Sequence, residues 1–382
     1  MTVVTNLPIR ETLSEPYLQN VGVIVPTYNA ATYWAAFQKT LNLQGLTPDQ
    51  VLIVDSASTD GTPELAEKAG YQVRRINKKD FNHGATRQMA CDLLPDATFL
   101  VFMTQDAILE SPQSIDRLCS AFRDETVGAA YGRQMPRADA DPIERYARLF
   151  NYPGISATRT LQSRETLGIK AVFFSNSFAV YRRSALEEVG GFPSNVILAE
   201  DSIVAARMLL AGWKTVYQAD AIVIHSHAIE LSREFSRYFD TGVHHARETW
   251  LLKEFGGVGS EGLRFVRSEL AFLWATAPTK IPLSILRTIN KYAAYQLGRR
   301  EQSLPVWLSK KITDYPNFWS EPASTASGTT SAVKVHPIAS QAKAAASSPA
   351  RSDNQSGSRP ANQPKRAQST NGTHSYPVGK KP

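Results

Sequence analysis

Four short segments place charged or hydrogen-bonding side chains directly after, or between, runs of apolar residues. Pro26-Thr27-Tyr28-Asn29 follows VGVIV, and Asp55 closes VLIV with Ser58 and Asp60 just beyond it. Lys79-Asp80-Phe81-Asn82-His83-Gly84-Ala85-Thr86-Arg87-Gln88 comes next, and Thr104-Gln105-Asp106 follows TFLVFM. Tyr28 offers a ring on which a base can stack, with the backbone of Thr27 meeting its edge. An ionised Asp55 suits the N3–H of a pyrimidine. A helix opening near Gly84 would aim backbone N–H groups at an anion. Arg87, one turn in, would bring a guanidinium to a diphosphate or ribose. Asp106 ends an apolar run, where an acid is costly unless something pairs with it. Mg²⁺ or Mn²⁺ bridging to phosphate oxygens would do so, and such ions take only one or two protein carboxylates. Taken singly, each segment also reads as ordinary structure: Asp55, Ser58 and Asp60 as turn and cap residues, Gly84 as a turn glycine with Arg87 in solvent.

The second half adds further candidates. Glu200-Asp201 opens a helix, where acids are favourable with the helix dipole whatever else they do. His225 and His227 close the run AIVIHSH, and His225 is a candidate metal ligand. Asn176 and the Arg182-Arg183 pair are further polar candidates.

These residues need a frame that brings them to one place. Apolar runs at 21–25, 51–54 and 98–103, with a further strand read at YQVRRI (71–76), alternate with helical stretches around 33–43, from Thr62-Pro63, at 84–94 and from Ser111-Pro112. Thr62 is expected to cap its helix, with Pro63 in the first turn. Alternation at this spacing predicts an α/β fold with a doubly wound, mostly parallel sheet and ligands at the carboxyl ends of the strands. Beyond it, 171–183 reads as strand-like, 200–210 as a helix, and 214–218 and 221–225 as strands. Residues 230–318 read as mostly helical.

The resulting organisation is an arm at 1–20, an α/β domain at 21–254 divided at 110/111, a helical region at 255–320, and a tail at 321–382. Of the net +7 charge, +6 comes from the tail, where eight Lys/Arg face two acids. The rest is nearly neutral, which argues against a nucleic-acid-binding core. The tail is rich in Ser, Ala, Pro and Gln and too poor in large apolar residues to fold, so it is expected to be disordered. Cys91 and Cys119 lie in helical stretches and read as buried free thiols. With no signal-like apolar segment and no long uncharged run, a cytoplasmic protein is expected. Aromatic and basic residues interleave along 230–318, compatible with a peripheral membrane contact or a homodimer contact.

The order of the motifs carries more than any one of them. PTYN, a strand ending in Asp, a Gly/Arg segment, a strand ending in TQDA, then RRSALEEVGGFP, Glu-Asp and a strand-end His together resemble inverting family-2 glycosyltransferases of GT-A fold. Within that family, DFNHGATRQ with TQDA is most similar to bacterial rhamnosyltransferases using dTDP-rhamnose in cell-surface polysaccharide synthesis. The resemblance implies a nucleotide-sugar donor held by Tyr28, Asp55 and Arg87, a Mg²⁺ or Mn²⁺ ion on Asp106 with His225, and Asp201 as general base supported by Glu200. It implies a glycan or lipid-linked glycan such as O-antigen as acceptor, with Asn176 and the Arg182-Arg183 pair as candidates for contact with the glycan or its lipid diphosphate. The sequence departs from the family's Asp-x-Asp motif, with Thr104 in the first position. Other readings are a transferase for UDP-GlcNAc or UDP-galactose and a non-catalytic nucleotide-binding scaffold. A dinucleotide oxidoreductase would need a G-x-G-x-x-G turn after the first strand, and VGVIVPTYNAAT has none.

Overall fold

The computed structural model describes residues 16–225, 230–257 and 259–319. The tail from 320 and the arm to 15 lie outside these residues, as does His227. Nine strands form one sheet: β1 (Val21–Thr27), β2 (Val51–Asp55), β3 (Gln72–Arg75), β4 (Phe99–Met103), β5 (Ile108–Leu109), β6 (Val127–Met135), β7 (Ala157–Arg159), β8 (Phe178–Arg182) and β9 (Lys214–Ile224). Their order is β3-β2-β1-β4-β8-β6-β9-β5, with β7 also paired to β9.

The first four strands expected from the sequence, β1 to β4, pair in parallel. Past β4 the sheet is mixed: β8 runs antiparallel to both β4 and β6, β6 parallel to β9, and β5 and β7 antiparallel to β9. The helices expected at 33–43, 84–94 and 200–210 appear as Ala31–Asn42, His83–Asp92 and Glu200–Leu210. Thr62 is the first helical residue rather than the cap; Gly61 takes the cap position with φ 85°. Its hydroxyl is engaged by the loop, donating to Asp60 and accepting from the Ala30 N–H. The helix assigned to Ser111-Pro112 begins later, at Ser114. The stretch 171–183 is a strand only over β8, and the two strands near 214–225 are one long strand, β9, with a register shift against β6.

Side chains alternate across the sheet as a pleated backbone requires. Val23, Val25, Val51, Ile53, Val101 and Met103 enter one core with Trp34 and Phe37, while Ile24, Leu52, Val54, Leu100 and Phe102 enter the other with Tyr131 and Tyr181. Cys91 and Cys119 are free and buried, and burial pushes both thiols well up.

The helices of 255–320 are packed onto this body. Helix Ile281–Gly298 crosses helix Leu231–Arg247 backbone to backbone, because both carry glycine at the crossing. A Cβ on Gly298 would stand 2.0 Å from the Phe239 carbonyl oxygen, and one on Gly242 2.3 Å from that of Tyr295.

Candidate active site

The ends of β1 and β2 are tied into one loop system. Asp55, 1 % exposed, accepts the Thr27 hydroxyl at 3.0 Å, the Ser58 hydroxyl at 2.5 Å and the Ser58 N–H at 2.9 Å. Asn29 donates its N–H to Ser58 at 2.8 Å and accepts from the Thr59 N–H at 2.9 Å. It holds φ 50° to do so, a conformation Asn tolerates better than most residues. Asp60 spends its oxygens on the Ala31 N–H and on Thr62. Pro26 sits in the ladder opposite Val54. Tyr28 stays 41 % exposed. Gln105 clamps its peptide, accepting the Tyr28 N–H at 2.7 Å and donating to its carbonyl at 3.1 Å. Lys78 reaches the Tyr28 hydroxyl at 2.8 Å and lies 4.4 Å from the ring centre, placing a cation beside the exposed aromatic.

Two expected roles at the third segment change. The first turn of helix His83–Asp92 is filled by protein: Asn82 caps it through the Ala85 N–H, and a Cβ on Gly84 would lie 1.7 Å from the Pro193 carbonyl oxygen. Gly84 is there for that close approach, and no room for an anion is left over it. Arg87 is 6 % exposed and pairs with Glu200 at 2.8 Å. It is neither in solvent nor extended toward a donor; it holds an acid in place.

That acid belongs to the most tightly organised part of the site. Asn176, buried, donates its side-chain amide to Glu200 at 3.1 Å and its backbone N–H to Asp201 at 3.1 Å. It also accepts the Tyr181 hydroxyl at 2.8 Å. Every arm of Asn176 is therefore engaged within the protein, so it orients the acids and does not face an acceptor. Asp201 also takes the Ser202 N–H at 2.8 Å. Burial, then the adjacent Glu200 charge, pushes the Asp201 carboxyl up to about 7. Glu200 is opposed by burial as well, yet the Arg87 charge and the Asn176 hydrogen bond hold it below its ordinary range. One carboxylate is kept charged and its neighbour is made basic, the usual signature of a pair with divided roles.

Asp106 and His225 stand together, Nε2 to Oδ1 at 3.3 Å. The His225 tautomer follows from its other side. Arg148, which can only donate, points at Gln134 Oε1 at 2.6 Å, and His225 Nδ1 lies 2.9 Å from the same oxygen. An amide oxygen only accepts, so Nδ1 must carry the proton. In the neutral ring, Nε2 then presents a lone pair toward a carboxylate oxygen. A proton on Nε2, or a cation between the two groups, would reconcile this approach. Among the described residues no group of three or more His, Cys, Asp or Glu side chains could hold a metal. Two ligands nevertheless suit Mg²⁺ or Mn²⁺, which complete their shells with phosphate oxygens and water. Gln134 also donates to Ser175 at 2.8 Å, the residue before Asn176, so the Asp106–His225 pair and the acid pair share one scaffold.

Arg182 and Arg183 are not in this site. β8 runs antiparallel to β4, so Arg182 pairs with Phe99 at the start of β4 while Phe178 pairs with Met103 at its end. Their guanidinium groups bind the carbonyls of Val127 and Phe122, and of Ala97, Cys91 and Leu94. The expectation that they touch the acceptor is corrected by that polarity.

The comparisons with known proteins agree with this arrangement. The model of glycosyl transferase family 2 matches residues 22–190. An O-antigen chain rhamnosyltransferase of Salmonella typhimurium is 45 % identical over 300 residues, covering 78 % of this chain and 96 % of the relative. The chain belongs to glycosyl transferase family 2. The O-antigen chain rhamnosyltransferase of Salmonella anatum is likewise 45 % identical over 302 residues, covering 78 % of this chain and 95 % of its own. A more distant relative, an N-acetylglucosaminyl-diphospho-decaprenol L-rhamnosyltransferase of Mycobacterium tuberculosis, is 28 % identical, covering 56 % of this chain and 78 % of that one. A mannosyltransferase of Pyrobaculum calidifontis, solved with GDP-Man and Mn²⁺, superposes with a TM-score of 0.50 at 20 % identity, covering 79 % of this chain and 88 % of that one, which supports the GT-A fold. In this family-2 chain Lys78, Gln134 and Arg148 escaped the sequence reading, and His83 was read only as one residue of the segment 79–88, without a role. Nothing in the local sequence marks the three, apart from Lys78 lying beside Lys79.

Proposed function

We propose that this family-2 transferase moves L-rhamnose from dTDP-rhamnose to a hydroxyl of a growing cell-surface glycan such as O-antigen, with inversion, at a divalent metal. The observation that carries the reaction class is the Glu200–Asp201 pair joined through Asn176, Ser175 and Gln134 to Asp106 and His225. The 45 % identity to O-antigen rhamnosyltransferases supports the sugar and acceptor.

In this reading Tyr28 and the Asp55 loop take the pyrimidine, with Lys78 at the ring. Asp106 and His225 hold Mg²⁺ or Mn²⁺, which when bound supplies Lewis-acid stabilisation of the departing diphosphate. Asp201 removes the proton of the acceptor hydroxyl as its oxygen attacks the anomeric carbon. The bond from that carbon to the diphosphate oxygen breaks, and dTDP leaves. Glu200, ionised against Arg87, keeps Asp201 basic and in place.

The acceptor reading extends to a surface. On helix Ile281–Gly298, Ile285, Leu286, Ile289 and Tyr292 are 46–66 % exposed, and on the preceding helix Trp274 is 76 % exposed. The charged residues of the first helix, Arg287 and Lys291, turn the other way onto Glu234. Residues 255–320 carry nine Lys/Arg against four acids, whereas 1–254 carry 25 against 29. An uncharged apolar stripe in a basic region is complementary to an anionic bilayer, where a lipid-linked acceptor would be presented. Among the described residues no helix is long and apolar enough to cross a membrane, so the contact proposed is peripheral.

The deciding experiment presents dTDP-rhamnose, UDP-GlcNAc, UDP-galactose and GDP-mannose separately, with Mn²⁺ or with EDTA. Nucleoside diphosphate release is followed with and without acceptor. Metal-dependent release from dTDP-rhamnose alone is expected. Selective use of another donor would replace the sugar; full activity in EDTA would remove the metal; binding without turnover on any acceptor would favour a scaffold.

A further inference from the structure

The last described residues, 313–319, return to the catalytic end from far along the chain. Asp240, fully buried on helix Leu231–Arg247, accepts the Thr313 hydroxyl at 2.6 Å and the Asp314 N–H at 3.0 Å. Arg247 lies over the rings of Phe318 and Trp319 at 4.6 and 5.2 Å. Asn317 donates to the Lys79 carbonyl at 3.4 Å. Between these anchors Tyr315 is set edge-on against His83, with ring centres 5.1 Å apart and its hydroxyl 3.1 Å from Nε2.

The protonation of His83 is dictated by its neighbour. Arg87 Nη1 lies 3.1 Å from His83 Nδ1, and a guanidinium only donates. Nδ1 must therefore accept, which excludes the imidazolium and leaves the proton on Nε2, directed at the Tyr315 oxygen. Burial acts the same way, pushing the ring's pKa down to about 4. The same Arg87 Nη1 is 2.8 Å from Glu200, while Arg87 Nε has no hydrogen-bond partner. Arg87 is thus located by Nη1, whose surroundings are the His83 ring, the His83 carbonyl and Glu200.

We propose that Tyr315 is a positioning residue for transfer: by fixing the His83 ring it fixes Arg87, and through Arg87 the Glu200 carboxylate beside Asp201. Residues 313–319 thereby complete an acid pair that the strands and the Glu200–Leu210 helix leave open on the His83 side. The inference rests on the reading of Asp201 as the base, with Glu200 as its support. Releasing the ring allows Glu200 to shift without removing any group that touches donor or acceptor.

Three measurements on the full chain test this. Tyr315→Phe removes one oxygen and keeps the ring. Its kcat is expected to fall about 10-fold, the order of cost for a small misplacement of reacting groups, with the donor KM unchanged and thermal unfolding as in the wild type. Adding Tyr315→Phe to His83→Asn, which keeps an acceptor for Arg87 but does not reach Tyr315, should cost nothing further. Wild-type kcat in Tyr315→Phe, or additive losses in the double variant, would overturn the proposal. Independently of any donor, ¹⁵N-histidine NMR of the ligand-free protein should show His83 as the Nε2–H tautomer, with that proton shifted in Tyr315→Phe. An Nδ1–H tautomer or a charged ring overturns the relay. If no nucleotide sugar is turned over, the proposed function falls while the NMR result still decides the relay.

Discussion

Asp201 is made basic by what surrounds it. Burial and the Glu200 charge raise its carboxyl to about 7, against an ordinary value of 3.8. As a base it must be ionised, so kcat should fall as pH drops through about 7 and level off above, with Asn176, Ser202 and Arg87 opposing the shift. Asp201→Asn should lower kcat by ~10²–10⁴-fold and abolish that limb in a pH–rate series; near-normal turnover would remove the base assignment. The same shift acts on stability. A raised folded pKa favours the folded state below about 4, and that advantage is lost as pH rises through about 7. At the Asp106–His225 pair, Gln134 sets the His225 tautomer, so Gln134→Leu should weaken Mn²⁺ binding in the presence of dTDP by about 10–100-fold. Electron paramagnetic resonance of free Mn²⁺ would measure it, and unchanged affinity would show that the tautomer needs no Gln134.

Elements are positioned by close approaches that only glycine allows. Gly298→Ala would bring a methyl against the Phe239 carbonyl, so the crossing helices must separate. The expected cost is about 1–3 kcal/mol, read as a lower denaturation midpoint. Gly262→Ala, where nothing lies within 4 Å of the added Cβ, is the control and should be neutral or slightly stabilising. β1, β2 and β4 were legible because each is a short apolar run buried on both faces, whereas β3, QVRR, is mostly exposed and was legible only as the strand-like step between two helices. β6 was not: VGAAYGRQM mixes glycine, alanine and polar residues, and only its neighbours β8 and β9 make it a central strand. Arg182 and Arg183 were misplaced for a related reason, since strand direction is set by pairing and a strand-like run shows none.

For the whole molecule, the exposed stripe on helix Ile281–Gly298 gives a prediction. The protein should sediment with vesicles of anionic lipid and not with neutral ones, and Ile289→Glu should abolish this while leaving turnover on a soluble acceptor unchanged. Vesicle-independent dimerisation that Ile289→Glu breaks, seen by light scattering, would assign the face to a second copy instead. A chain ended after Ser320 should keep full turnover, because the described anchor to the catalytic end closes at Trp319.

The order of strand-end motifs, with their residue types, was enough to read the family and the fold class, because apolar runs and the residues that end them are local properties. What each of those residues does was decided only in three dimensions. Arg87 turned from the donor to Glu200, Asn176 from the acceptor to the acid pair, and Gly84 from an anion to the Pro193 carbonyl. Gln134 and Tyr315 entered the site from 91 and 232 residues away from the histidines they touch. A hydrogen bond is set by distance and direction between folded elements, and spacing along a chain does not encode that.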